Sequence, residues 1–180
     1  MSSREDAQKL AHLLDGEIGK RLATITLPRP ISVFITLRGY LSKRADEINA
    51  PNDVLAGLKM SPRSSSGDVL INYGPTIDKG KTENHFRFDS GARLCFGIAI
   101  HERSRQEYDL LSYRFHYHMP DNQSLSFLRF DLNPGHHQNP LSEPRCHLHP
   151  GLDAIRLPLP ILSPFEVLDR IFFVAEPAIK

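Results

Sequence analysis

Residues 111–132 read LSYRFHYHMPDNQSLSFLRFDL, and their period decides the architecture. Leu111, Tyr113, Phe115 and Tyr117 alternate with Ser112, Arg114, His116 and His118. Successive strand side chains point to opposite faces, so this period of two marks a strand with one buried face. Pro120, Asp121 and Asn122 supply turn chemistry. Leu128, Phe130 and Leu132 then alternate with Phe127, Arg129 and Asp131, which returns the chain as an antiparallel partner. A slip of one residue would exchange the two faces, so the apolar positions set the parity of the register. A turn centred on residues 121–122 pairs Leu111 with Leu132, Tyr113 with Phe130 and Phe115 with Leu128. It also sets Ser112 opposite Asp131 and Arg114 opposite Arg129. Like charges directly opposite destabilise a sheet by some fraction of ~1 kcal/mol. Two facing arginines therefore call for a carboxylate or an anion, with Asp131, diagonal to Arg114, as the internal candidate. The alternative is that both side chains splay into water.

The same alternation extends upstream. Phe86 and Phe88 alternate with His85 and Arg87, and the turn DSGA puts Gly91 where a positive φ is needed. Leu94, Phe96, Ile98 and Ile100 alternate with Arg93, Cys95, Ala99 and His101, and the polar loop ERSRQE leads into the next strand. Further back, residues 3–22 carry Ala7, Leu10, Ala11, Leu14, Ile18 and Leu22 at helical spacing, with Glu5 and Asp6 in the first turn. Pro28 and Pro30 end that helix, and the β-branched residues of 31–41 predict a strand. A short helix is expected at 51–58, a loop excursion at 61–67 and a strand at 69–73. Downstream, 154–157 reads as a short extended run. Ser163, Pro164 and Glu166 mark a helix start, with Ser at N-cap, Pro at N1 and Glu at N3. The pattern predicts one α+β domain spanning residues 1–180. Its centre is an antiparallel meander of about five to seven strands, with the N- and C-terminal helices packed on the apolar face.

Composition narrows the function. The 180 residues are 40% hydrophobic and 24% charged, as in a soluble globular protein. A net charge of +1 offers no overall field for nucleic acid or membrane, so any basic preference is local. The opening MSSREDAQ has no apolar run and no segment approaches the roughly 20 apolar residues of a membrane helix, so no signal peptide and no membrane association are expected. Two cysteines, Cys95 and Cys146, make no disulfide framework, and a cytoplasmic setting is expected.

The chemistry concentrates in one stretch. Six of the nine histidines fall within 116–149, and residues 129–156 also carry Arg129, Asp131, Cys146 and Arg156. In an extended segment His147 and His149 point the same way, which suits an acid and a base acting at one phosphoryl centre, or two ligands to one metal. Arginines would neutralise charge where it develops, and Asp131 could orient a histidine through its second nitrogen. Zinc is the competing use, through His136, His137, Cys146, His147 and His149, although their spacing matches no common finger or ribbon. A third possibility is histidines bonding carbonyls to order a Pro-rich loop. Walker, GxGxxG, HExxH and GxSxG motifs are absent.

The order RFD (129–131), a His-containing loop, HLHPG (147–151), an Arg-Leu-Pro run (156–158) and a final SP-capped helix is similar to the TumE-like toxins of bacterial toxin–antitoxin systems. It is also similar to an uncharacterised bacterial domain family ending in HL-x-x-G, R-x-P and a terminal helix. The resemblance covers roughly residues 113–174. It implies a ribonuclease held in check by a small antitoxin. This chain departs in having Leu148 between the histidines where a basic residue is expected, and in its first hundred residues. The expectation is therefore a metal-independent endoribonuclease with no cofactor. His147 and His149 would act as acid and base with Asp131 beside them, and Arg114, Arg129, Arg156, His136 and His137 would hold RNA. The alternatives are a non-enzymatic accessory protein that recognises a partner through its His/Arg face, and a zinc-binding protein.

Overall fold

The alternating stretch forms strands β6 (Glu107–His118) and β7 (Phe127–Leu132) of an antiparallel sheet in the computed structural model. The structure describes residues 25–47, 54–62, 64–74, 85–104, 107–121, 123–134 and 144–177. Upstream lie β1 (Thr26–Leu27), α1 (Pro30–Glu47), a 3-10 turn (Val54–Gly57), β2 (Leu58–Met60), β3 (Asp68–Tyr73), β4 (Phe86–Arg87) and β5 (Arg93–Ser104). Downstream lie β8 (Cys146–Pro150), β9 (Leu157–Pro158) and α2 (Pro164–Arg170), which runs into a wider turn at Ile171–Ala175. The fold is α+β. Seven strands follow one path, β2-β3-β5-β6-β7-β8-β9, while β1 pairs with β6 and β4 with β5. The strands beyond the expected five to seven are two-residue pieces.

One face of the sheet carries the core. Ile71, Tyr73, Leu94, Phe96, Ile98, Tyr113, Phe115, Tyr117, Phe130 and Leu132 are buried in one cluster with residues of both described helices. The expected helix over 3–22 lies outside the described residues.

Residues 31–41 form a helix, not the expected strand. Val33, Leu37, Leu41 and Ala45 are its buried positions, a strict i, i+4 stripe, while Ile31 and Ile35 are exposed. A strand would have put Ile31, Val33 and Ile35 on one face. Burial of a four-residue repeat against the core overrides a weak β preference. Pro30 does not end a helix but opens one, where its missing N–H costs nothing and the Arg29 carbonyl accepts from Ser32 and Val33.

The β6–β7 pairing keeps the expected parity but is shifted by two residues. Tyr113 pairs with Leu132, Phe115 with Phe130 and Tyr117 with Leu128. The loop of residues 119–126, closed by Met119 N–H donating to the Ser126 carbonyl, centres one residue later than the Asp-Asn pair suggested. Arg114 therefore faces Asp131 and Arg129 faces His116, so the two arginines do not oppose each other. A bulge between the Ala99 and Ile100 pairings leaves Leu111 extra and turns Leu110 inward in its place.

Helix α2 starts as its residues dictate. The Ser163 hydroxyl accepts from Glu166 N–H, the Glu166 carboxylate accepts from Ser163 N–H, and Pro164 stands in the first turn. Past its end, buried Glu176 accepts from the Tyr117 hydroxyl at 2.7 Å and the Ser90 hydroxyl at 2.9 Å. Burial, then this carboxylate, hold the Tyr117 phenol protonated. Tyr117→Phe is expected to destabilise the protein by about 1.5–3 kcal/mol, the cost of removing a hydrogen bond to a charged group. Urea unfolding checks this, and a change below about 0.5 kcal/mol, the range of ordinary surface substitutions, would show the bond contributes nothing.

Candidate active site

The other face of the sheet is built in rows across the strands. In one row Arg114 of β6, Asp131 of β7 and His147 of β8 are consecutive cross-strand partners. In the next, Cys95 of β5, His116 of β6, Arg129 of β7 and His149 of β8 follow one another. The strand period places His147 and His149 on this face together, and the antiparallel β7–β8 pairing delivers them to Asp131 and Arg129.

Asp131 is the hub. Its Oδ1 accepts from Arg114 Nε at 3.1 Å and its Oδ2 from Arg129 Nε at 2.8 Å. The Nε2 atoms of His149 and His147 stand 3.4 and 3.8 Å from the same Oδ2. Arg129 reaches further and donates through Nη1 to Asp153 Oδ1. Asp153 lies on the turn after Gly151, whose φ of 77° suits a residue without a Cβ and brings the chain back over Arg129. Asp131, His147 and His149 are buried, His149 to 1% exposure, whereas Asp153 stands in solvent.

The tautomer of His147 follows from its neighbour. Nδ1 is 2.6 Å from the Pro144 carbonyl, which can only accept, so Nδ1 carries the proton and Nε2 presents a lone pair toward Asp131. For His147 the orienting group is a main-chain carbonyl, while Asp131 stands nearer to His149 than to His147. His149 has no hydrogen bond of normal geometry to either buried ring nitrogen among the described residues. Burial pushes His147 below the ordinary histidine range, with the Pro144 bond and Asp131 acting against it. Burial and then the Arg129 guanidinium push His149 down as well.

The expected site residues divide. Arg114, Arg129, Asp131, His147 and His149 come together; Arg156 is exposed but close enough for its charge to lower the pKa of His147. His136 and His137 lie outside the described residues. Cys146 does not join the two histidines as a ligand. Alternation along β8 turns it inward, where its thiol meets the Tyr113 hydroxyl at 3.3 Å and burial raises its pKa. Asp131 takes the place zinc ligation would have given it: one ligand atom each from Asp131, His147 and His149 lie within 4.8 Å of one another. Both oxygens of that carboxylate are already engaged by guanidiniums, and Arg129 lies against His149. A dication there would have to displace positive charge already in place. Sequence reasoning missed Asp153 and the Pro144 carbonyl, which carry no local signal, and missed His116 beside Arg129, which only the register reveals.

No protein-family model matches the chain, and neither does any curated protein or solved structure.

Proposed function

We propose that the protein is a metal-independent endoribonuclease whose reaction centre is Asp131, His147 and His149, with Arg129 and Arg114 as the phosphate-holding cations. The observation that carries this reading is the convergence of two imidazole Nε2 atoms on one carboxylate oxygen beside a guanidinium. In the proposed reaction the Nε2 lone pair of His147 takes the proton of an RNA 2′-hydroxyl as that oxygen attacks phosphorus. Protonated His149 gives a proton to the departing 5′-oxygen as its bond to phosphorus breaks. The Arg129 guanidinium, freed from Asp153, and Arg114 hold the non-bridging oxygens as their charge grows. The Asp153 carboxylate occupies, in the absence of RNA, the position on Arg129 that a phosphate oxygen takes. By the resemblance to TumE-like toxins, a small protein partner restrains this activity.

The test is cleavage of RNA by protein treated with a chelator, followed as a function of pH. Both histidines titrate below the ordinary value of 6.5. Below the lower of the two pKa values the base is protonated and inactive; above the upper one the acid has lost its proton. The kcat/KM profile is therefore expected to be a bell with its maximum on the acid side of 6.5. Cleavage that appears only when a divalent ion is restored would overturn the acid–base assignment. Absence of cleavage with any single-stranded or structured RNA would favour an accessory protein. Such a protein would have, on the opposite face, an apolar groove lined by Leu125, Leu128, Phe130, Leu148 and Val174 for a partner.

A further inference from the structure

Three side chains that the proposed reaction does not use meet on the same face at the other end of the histidine row. Cys95 of β5 is 2% exposed yet lies outside the core cluster, because its neighbours Leu94 and Phe96 take the inward positions. His85, which precedes β4, and His118, at the end of β6, stand beside it. The three offer an Sγ and two ring nitrogens within 4.8 Å of one another. The rings of His85 and His118 meet edge to face with centroids 5.9 Å apart. His116, the direct cross-strand partner of Cys95, stacks on His118 at 3.9 Å and has both ring nitrogens buried without a hydrogen bond among the described residues.

Beside this set the buried ring nitrogens of His116 lose their hydration without a hydrogen bond among the described residues. The set itself, a thiol and two imidazoles, is what a borderline-soft dication selects, since sulfur and nitrogen together favour zinc over magnesium or calcium. We propose that His85, Cys95 and His118 form a zinc site, with the fourth position of the tetrahedron left to solvent.

A further fact agrees. Among the described residues no carboxylate joins this set, unlike Asp131 with its two guanidiniums, so the dication displaces no existing ion pair. Binding replaces the S–H bond by an S–Zn bond and releases one proton to solvent. The site stands apart from the nuclease reading, since it shares no residue with Asp131, His147 and His149.

The experiment uses the full chain after removal of metal by chelation, titrated with cobalt(II) and then zinc(II) at neutral pH. Cobalt reports a bound thiolate by its near-ultraviolet charge-transfer absorption, which separates this site from any made of nitrogen and oxygen alone. A single equivalent of cobalt is expected to bind with that band and to be displaced by zinc. The band is expected to vanish in Cys95→Ala and to persist in Cys146→Ala. Half-buried His85 can be changed with less risk to the fold. His85→Ala is expected to weaken binding by more than the roughly 10–100-fold that loss of an outer-shell partner costs. Absence of the band in the wild-type protein overturns the proposal, as does a band that survives Cys95→Ala or one lost in Cys146→Ala.

Discussion

Replacing His147 or His149 by alanine is expected to lower the rate of RNA cleavage by about 10²–10⁴-fold, the usual contribution of positioned acid–base groups, while the protein stays folded. The reason is geometric. His147 is held by the Pro144 carbonyl so that one nitrogen is committed as an acceptor, and His149 stands one residue away with its own Nε2 near Asp131. Each ring serves one half of a coupled proton transfer, so the double variant is expected to be little worse than either single one. Both rings are buried, so alanine also leaves a void, and a modest fall in melting temperature accompanies the loss. Activity and thermal unfolding measured on the same preparations separate the two effects. A folded, inactive variant supports the assignment. A variant whose specific activity per folded molecule is normal would show that the histidines only order the loop between β7 and β8.

Asp131→Ala is expected to cost about 3–5 kcal/mol of stability, because it leaves buried cationic groups without their carboxylate. Arg129 is largely enclosed and lies between Asp131 and His149, so its guanidinium loses its inner partner and keeps only Asp153. Arg114, in contrast, is half exposed, and Arg114→Ala is expected to cost no more than about 1 kcal/mol, as for other surface pairs. Removing Asp131 and Arg129 together should destabilise less than removing Asp131 alone, since no buried charge is then orphaned. Urea unfolding of the three variants tests the asymmetry. Equal costs for Asp131→Ala and Arg114→Ala would mean that Asp131 is solvated and is not the hub of the site.

Much of the site was legible in the residues because strand alternation is local. The period of two across 111–132 was enough to put Arg114, Arg129 and Asp131 on one face and Tyr113, Phe115 and Phe130 on the other, and it is independent of register. The same rule placed His147 with His149. It also excludes Cys146, because in a strand over Cys146–Pro150 the residue before His147 faces the other way. The capping box at Ser163 was equally readable, since its partners are three residues apart.

What the chain alone determined, then, is which side chains share a face and where helix α2 begins, because both depend on neighbours within a few residues. Which strand lies beside which, and by how many residues it is offset, depends on loop geometry and on contacts distant in sequence. The two-residue shift of β7 exchanged a pair of facing arginines for an Arg114–Asp131 pair. The pairing of β8 with β7 brought His147 to Asp131. The helix at Pro30–Glu47 was likewise decided by tertiary packing, since its β-branched residues favour a strand and only burial of Val33, Leu37, Leu41 and Ala45 against the sheet outweighs them. The meeting of His85, Cys95 and His118 had no sequence signal at all, because three separate chain segments must align before their side chains become neighbours.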